Sequence, residues 1–391
     1  MTVTLSDPTH RAALAELKHL LAATAVERDR AGGTAKTERD AIRRSGLLTL
    51  AVPPGFGGAG ETWPAILGAV RALAQVDSSL AHLFAFQHLM VASVLLYGSA
   101  AQRDALLTET VRKPLFWGNA LNPLDRRTTL TPAPQGWTLD GTKSFCSGAS
   151  DSDMLLVSAD DPDGRLRVFV IPTRRPGVAI LDDWDNMGQR QTDSGTVTFS
   201  GVPVDHDEIL GPPGPFGGVA CTLRPLIAQA ILAAIYLGIG EGALAAAREF
   251  TLGSARPWRS SGVTAAAEDP YVLHHYGELH VGLAGAAALG DQATARLQAA
   301  WEKRDELSPA ERGQVAVAIA TAKVAATRAG LDATNRLFDV TGARATGARY
   351  GLDRFWRNLR THSLHDPVDY KLKELGAWAL NGTVPQPDFY S

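Results

Sequence analysis

Residues 354–371, RFWRNLRTHSLHDPVDYK, gather three arginines, two histidines and a carboxylate next to the second histidine. Arg354, Arg357 and Arg360 are spaced by three, so on a helix they share one broad face. On pattern alone a solvated basic face or a set of salt bridges outweighs anion binding. His362 and His365 keep the same spacing, and Pro367 predicts a helix that stops just after Asp366. His365 and Asp366 are then expected at a helix end, where a side chain can point into a cleft. A carboxylate beside an imidazole tunes its pKa and orients its ring, which is the equipment for handling a proton. The bland alternative is a histidine capping the helix C-terminus, and without further context it wins.

Other chemistries fit less well. His362-x-x-His365-Asp366 has metal-like spacing, with His274, His275 and His280 as further candidates, but it lacks the glutamate of HExxH and has no cysteine pair to complete it, so no metal is expected. Ser147, in FCSGAS, stands outside any G-x-S-x-G elbow. GFGGAG precedes a helix but follows two prolines within a helical part, so P-loop and Rossmann readings are weak.

The whole chain narrows the class further. Its 391 residues can bury one large core or two to three subdomains. A net charge of -3 argues against nucleic acid or an anionic membrane as main partner. Two cysteines, Cys146 and Cys221, make no disulfide framework. The N-terminal stretch MTVTLSDPTHRAALAEL has no apolar signal core, and the apolar run around 228–240 is too short to span a bilayer. A soluble, cytoplasmic protein is expected.

Three textures follow one another. Residues 1–112 read as helical, interrupted by the loop AVPPGFGGAG; SSLAHLFAFQHLMVASVLLYG is apolar on nearly all sides, as a buried helix is. Residues 113–212 carry short β-prone runs, with a hairpin turn at DPDG, residues 161–164. After GPPGPFGG, residues 213–391 return to helix, with long segments expected near 223–253, 268–303 and 309–339. SPAE, residues 308–311, is a capping box with proline at the first helical position. A β unit between two helical parts leaves a cleft where the three meet, and such junctions are common ligand sites.

FWRNLRTHSLHDPVDYK, together with DDWDNMGQRQTDSG (182–195), GTKSFCSGA (141–149) and ARPW (255–258), resembles the flavin-dependent monooxygenases built on the acyl-CoA dehydrogenase fold. Within them the chain is most similar to the dibenzothiophene and benzothiophene monooxygenases. The likeness runs from about Asp77 to the C-terminus. It implies an α+β fold: an N-terminal helical domain, a middle β-barrel or sandwich domain, and a C-terminal four-helix bundle. It implies a two-component system, in which a separate flavin reductase supplies reduced FMN. O2 adds at the flavin C4a, and one oxygen atom passes to a small apolar, aromatic sulfur heterocycle. N- or C-hydroxylation of an aromatic or amine substrate on the same fold stays open as an alternative. Relatives form homotetramers with the C-terminal tail reaching a neighbour.

The resemblance also implies residue roles. Ser147 matches the residue at the flavin N5 edge, Asn119 the loop residue beside the ring, and Trp184 an aromatic shaping the pocket. Arg256 and Arg344 match arginines that take the flavin phosphate, one of them across a subunit interface. His365 matches the histidine near C4a, with Asp366 as its partner. A histidine on the substrate side falls at His88 or, one residue off, at Gln87. The chain departs from the acyl-CoA dehydrogenases in three places. LHDP stands where they carry the glutamate motif, so that Asp366 takes the usual glutamate position. Arg224 or Pro225 stands at the alternative glutamate position. ARPWRSSG replaces the adenine-side pattern; all three departures argue against acyl-CoA dehydrogenation and favour FMN over FAD.

Overall fold

The computed structural model describes residues 4–211 and 217–391. The chain opens with five helices: α1 (Pro8–Ala31), α2 (Lys36–Arg44), α3 (Trp63–Ala74), α4 (Ser78–Tyr97) and α5 (Ala100–Arg112). Their starts are written locally. Asp7, Thr62, Asp77 and Ser99 each accept a main-chain N–H of the first turn, and Pro8 and Pro64 occupy first-turn positions where no N–H is needed. Of the twenty residues of α4, only Leu96 and Tyr97 escape full burial, so it runs through the middle of the molecule.

The β unit is one mixed sheet: β1 (Trp117–Ala120), β2 (Thr128–Ala133), β3 (Gly136–Lys143), β4 (Met154–Asp160), β5 (Leu166–Pro172), β6 (Val178–Ile180), β7 (Val197–Asp205) and β8 (Ile209–Leu210). The order is β6-β7-β3-β2-β4-β5-β8, with β1 parallel to β4. The hairpin expected at DPDG is present. β4 and β5 pair antiparallel, and Asp161 closes the turn by receiving the Gly164 N–H on its main-chain oxygen. Leu130, Leu139, Val157, Phe169 and Val204 belong to a core separate from the helical one.

The second helical part holds α6 (Leu223–Gly253), α7 (Pro270–Lys303), α8 (Pro309–Thr341), α9 (Asp353–His362) and α10 (Val368–Asn381). The three long helices lie within two residues of where the sequence puts them, and the capping box at Ser308 is formed in both directions. The junction expected at 212/213 lies outside the described residues. α6 is apolar on all sides and is packed by α3, α4, α7 and α8. Each of its buried leucines and isoleucines contributes about 1.5–3 kcal/mol. Gly238 and Gly242 let α6 approach α3 so closely that a Cβ on either would strike the Arg71 or Gln75 carbonyl oxygen.

By length and composition α4 and the helical stretch 220–253 could cross a membrane, with mean hydropathies of 1.6 and 1.8. This extends beyond the 228–240 run read from the sequence, since Arg224 and Glu241 interrupt the composition without ending the helix. Both stretches are mostly buried within the protein itself, so their apolarity serves its core.

The last helix break differs from expectation. α9 ends at His362, four residues before Asp366. Residues 363–366 turn instead, with the His365 N–H bonded to the His362 carbonyl, and Pro367 caps α10. The early stop lets Asp366 swing into the bundle. The end of the tail packs on its own chain: Arg312 donates to the Ser391 main-chain oxygen and Lys371 to that of Tyr390.

Candidate active site

A cavity of about 690 Å³ opens where α4, the β unit, α6 and the 361–365 turn meet. Its walls are mostly apolar, with Phe86, Leu89, Phe145 and Trp184 among them. Two clusters of polar groups stand at its wall.

The first cluster centres on Ser147. β1 and the 189–195 loop clamp its segment: Asn119 N–H donates to the Ser147 carbonyl, Cys146 N–H to Gly195, and Gly148 N–H to Thr192. Arg39, fully buried beside Asp151, donates to the Gly148 carbonyl. Phe145 is held at φ +60 and Gln189 at φ +53. Side chains other than glycine rarely adopt this region, and such strain gathers at binding sites. The Ser147 hydroxyl lies 3.0 Å from His82 Nε2 and 2.8 Å from Ser194 Oγ, which donates to Thr192 Oγ1 at 2.7 Å. Burial, with His365 adding to it, lowers the His82 pKa to about 3, so this ring is neutral. Trp184 Nε1 donates to the Gln189 carbonyl at 2.9 Å, which fixes the indole as a wall.

The second cluster centres on Asp366. Lys323 reaches it from α8, Gln229 Nε2 from α6 at 3.4 Å, and His365 Nδ1 at 3.0 Å. Lys323 also donates to Gln229 Oε1 at 2.5 Å. Burial opposes charge on Asp366, but the His365 hydrogen bond and the Lys323 ammonium outweigh it and hold the carboxyl well below the usual range. Burial pushes Lys323 down to about 8, against the pull of Asp366. The pair is therefore ionised at neutral pH. An ionised carboxylate only accepts, so His365 Nδ1 donates to it and Nε2 is left for the cavity.

Ser147, Asn119, Trp184 and His365 thus border one cavity, with Asp366 directly behind His365. His88 does not. It lies buried against Phe84, and neither ring nitrogen has a partner among the described residues. Gln87 also points away: it receives the Trp117 N–H and donates to Leu115, tying α4 to β1. The α4 histidine that borders the cavity is His82, one and a half turns earlier. An all-apolar helix has no polar face to show which side matters, so the sequence could not choose between them. Lys323 did leave a signal, as the sole charge between Arg312 and Arg328.

Arg256 and Arg344 lie outside the cavity wall, both exposed. They are close together, since Arg344 donates to the Ser254 carbonyl. The arginines of α9 are scaffold: Arg357 pairs with Asp29 at 2.5 Å and Asp353 at 2.7 Å, and Arg354 donates to the Val76 carbonyl at 3.4 Å.

The wall suits a flavin ring. A planar heterocycle with an apolar body and a polar edge matches indole and phenyl walls opposite a fixed hydroxyl. Among the described residues, two buried atoms beside it, His82 Nδ1 and Gln189 Oε1, have no partner and add unmet hydrogen-bonding capacity.

Three acyl-CoA dehydrogenase domain models match the chain: N-terminal (residues 9–113), middle (121–202) and C-terminal (230–370). A probable FMNH2-dependent monooxygenase, SfnC, of Pseudomonas putida is 54% identical over 379 residues, covering 96% of each chain. Dibenzothiophene monooxygenase of Rhodococcus qingshengii is 46% identical over 385 residues, covering 94% of this chain and 92% of its own. The solved structure of methanesulfinate monooxygenase MsuC from Pseudomonas fluorescens superposes with a TM-score of 0.96 at 52% identity, covering 99% of this chain and all of the other. The chain belongs to the FMN-dependent monooxygenases of the acyl-CoA dehydrogenase fold.

Proposed function

We propose that this protein takes reduced FMN from a separate flavin reductase and uses O2 to oxygenate the sulfur of a small, largely apolar organosulfur compound. The observation that carries the reading is the pairing, on one largely apolar cavity, of the clamped Ser147 hydroxyl with a His365 whose tautomer is dictated by Asp366 and Lys323. Reduced FMN, when bound, supplies the electrons and activates the oxygen.

The chain does the rest. Trp184 and Phe145 flank the ring and exclude water. Ser147, restrained by His82 and Ser194, presents its hydroxyl to the ring edge with Asn119 beside it. His365 Nε2 holds or accepts a proton at the cavity surface. Lys323 keeps Asp366 charged, so the imidazole stays oriented through both protonation states. Asp366 itself is a weak base, because two donors hold it ionised, and proton removal next to a thioester is poorly served. Arg256 and Arg344 are too far out to serve the ring's own cavity wall and would take the phosphate, one of them from a partner protomer.

A homotetramer fits this division of labour. α7 buries six of its 34 residues and exposes Tyr271, Leu273 and Val281. Residues 1–112, 113–212 and 213–391 act as three parts around one site, in a cytoplasmic enzyme that meets its reductase there. The test is to supply reduced FMN and labelled O2 with a panel of thioethers, sulfinates and amines. Label in a sulfur-oxygen product supports the reading. Oxygen consumption that yields only hydrogen peroxide with every compound refutes it.

A further inference from the structure

The relatives' names divide on substrate charge: dibenzothiophene is neutral and methanesulfinate is an anion. Arg224 bears on which kind this cavity takes. It sits in the first turn of α6 and borders the cavity. Its Nε donates to Ser93 Oγ at 2.8 Å. Among the described residues it has no carboxylate partner, and no aspartate or glutamate lines the cavity. His82 and His362 are held neutral by burial, so Arg224 is the one permanently charged group on the described wall. Arg71, Arg357 and Arg39, by contrast, each have a carboxylate within reach.

Its position suits a substrate. Gln229, which touches Asp366, lies five residues along the same helix, a rise of about 7.5 Å. Phe86, Leu89 and Ala228 line the same cavity. Burying a guanidinium in an apolar wall is costly unless something answers its charge, and none of the described groups does. A bound anion would. The planar fork fits two oxygens on one centre.

We infer that Arg224 is the substrate's counter-charge, and that the organosulfur substrate is a sulfinate, with two anionic oxygens on the guanidinium and its hydrocarbon group against the apolar wall. This rests on the S-oxygenation reading and narrows it. In the overall step one atom of O2 bonds to the sulfur lone pair, the O–O bond breaks and the other atom leaves as water. Two electrons come from reduced FMN and two from sulfur, so sulfinate becomes sulfonate. Arg224 stays charged throughout, because both substrate and product are monoanions.

The test separates binding from turnover. Dissociation constants for benzenesulfinate and for dibenzothiophene are measured by equilibrium dialysis with oxidised FMN present. Wild type is compared with Arg224→Met and Arg224→Lys, and Arg224→Gln is added should the methionine variant not fold. The expected result is a roughly ten- to hundredfold loss of sulfinate affinity in the methionine or glutamine variant, partial recovery in the lysine variant, and little change for dibenzothiophene. Equal sulfinate affinity in wild type and the uncharged variant overturns the inference, as does wild type that binds and oxygenates only the neutral compound. In that last case the proposed S-oxygenation survives. Conversely, charge-dependent sulfinate binding without any oxygenated product keeps the assignment of Arg224 and removes the proposed function.

Discussion

At the scale of single residues, two histidines that the resemblance placed at the site part company. His365 has one nitrogen committed to an ionised aspartate and one free for the cavity. Replacing it with alanine should leave reduced-FMN affinity within about twofold. Coupled product formation should fall by about 10²–10⁴, the usual contribution of a positioned acid or base. Parallel titration and product assays check this, and equal loss of both would assign His365 to flavin binding instead. His88 is a core residue. Burial lowers its pKa to about 3, whereas in the unfolded chain it titrates near 6.5. Between those values the unfolded state binds a proton that the folded state refuses. Stability therefore falls on acidification from about pH 6.5, by about 1.4 kcal/mol per pH unit for each such group. His82 adds to the same slope. His88→Leu should keep activity and show a shallower loss of melting temperature between pH 7 and 5 than wild type. A collapse of activity at unchanged stability would return His88 to the site.

Elements set how finely those residues are placed. Ser147 is exact because β1, the 189–195 loop and Arg39 each fix a main-chain atom of its segment. Arg224 and Gln229 are exact because α6 is wedged among four helices. That wedge depends on glycine. A methyl group at Gly242 would meet the Gln75 carbonyl oxygen of the residue that caps α3, and backbone cannot step aside cheaply. Gly242→Ala should destabilise the protein by roughly 1–3 kcal/mol. It should also raise substrate KM more than Gly253→Ala, at a glycine whose added methyl would face open space. Chemical denaturation and steady-state kinetics on both variants measure this.

At the scale of the whole molecule, Ser147, Asn119, Trp184 and His365 border one cavity within a single chain, while Arg256 and Arg344, proposed for the phosphate, stand exposed on its outside. We propose that the assembly covers the face of α7 that carries the exposed Val281. Val281→Glu places a charge on that face, where the native valine is 70% exposed in the single chain. Light scattering should give a mass of four chains for the wild type and a smaller assembly for the variant. FMN affinity should drop with it, although no cavity residue has changed. A variant that stays tetrameric would move the interface elsewhere.

Much of this was written in the sequence. The helix start at Ser308, the turn at 161–164 and the three long helices of the second half follow from capping, turn chemistry and apolar spacing, which act over a few residues. The motifs around Ser147, Trp184 and His365 pointed to the family and to one wall of the site. Other assignments were out of reach because they depend on which side of a helix meets which neighbour. Whether His82, Gln87 or His88 faces the cavity is such a case, since α4 is apolar all round. The Lys323–Asp366 pair joins groups 43 residues apart, and it forms only because α9 stops a turn before Pro367 requires. Local rules act through the chain and can be read along it. The charge state of Asp366, the tautomer of His365 and the unanswered guanidinium of Arg224 are set across space, by burial and by partners that only the packed helices bring together.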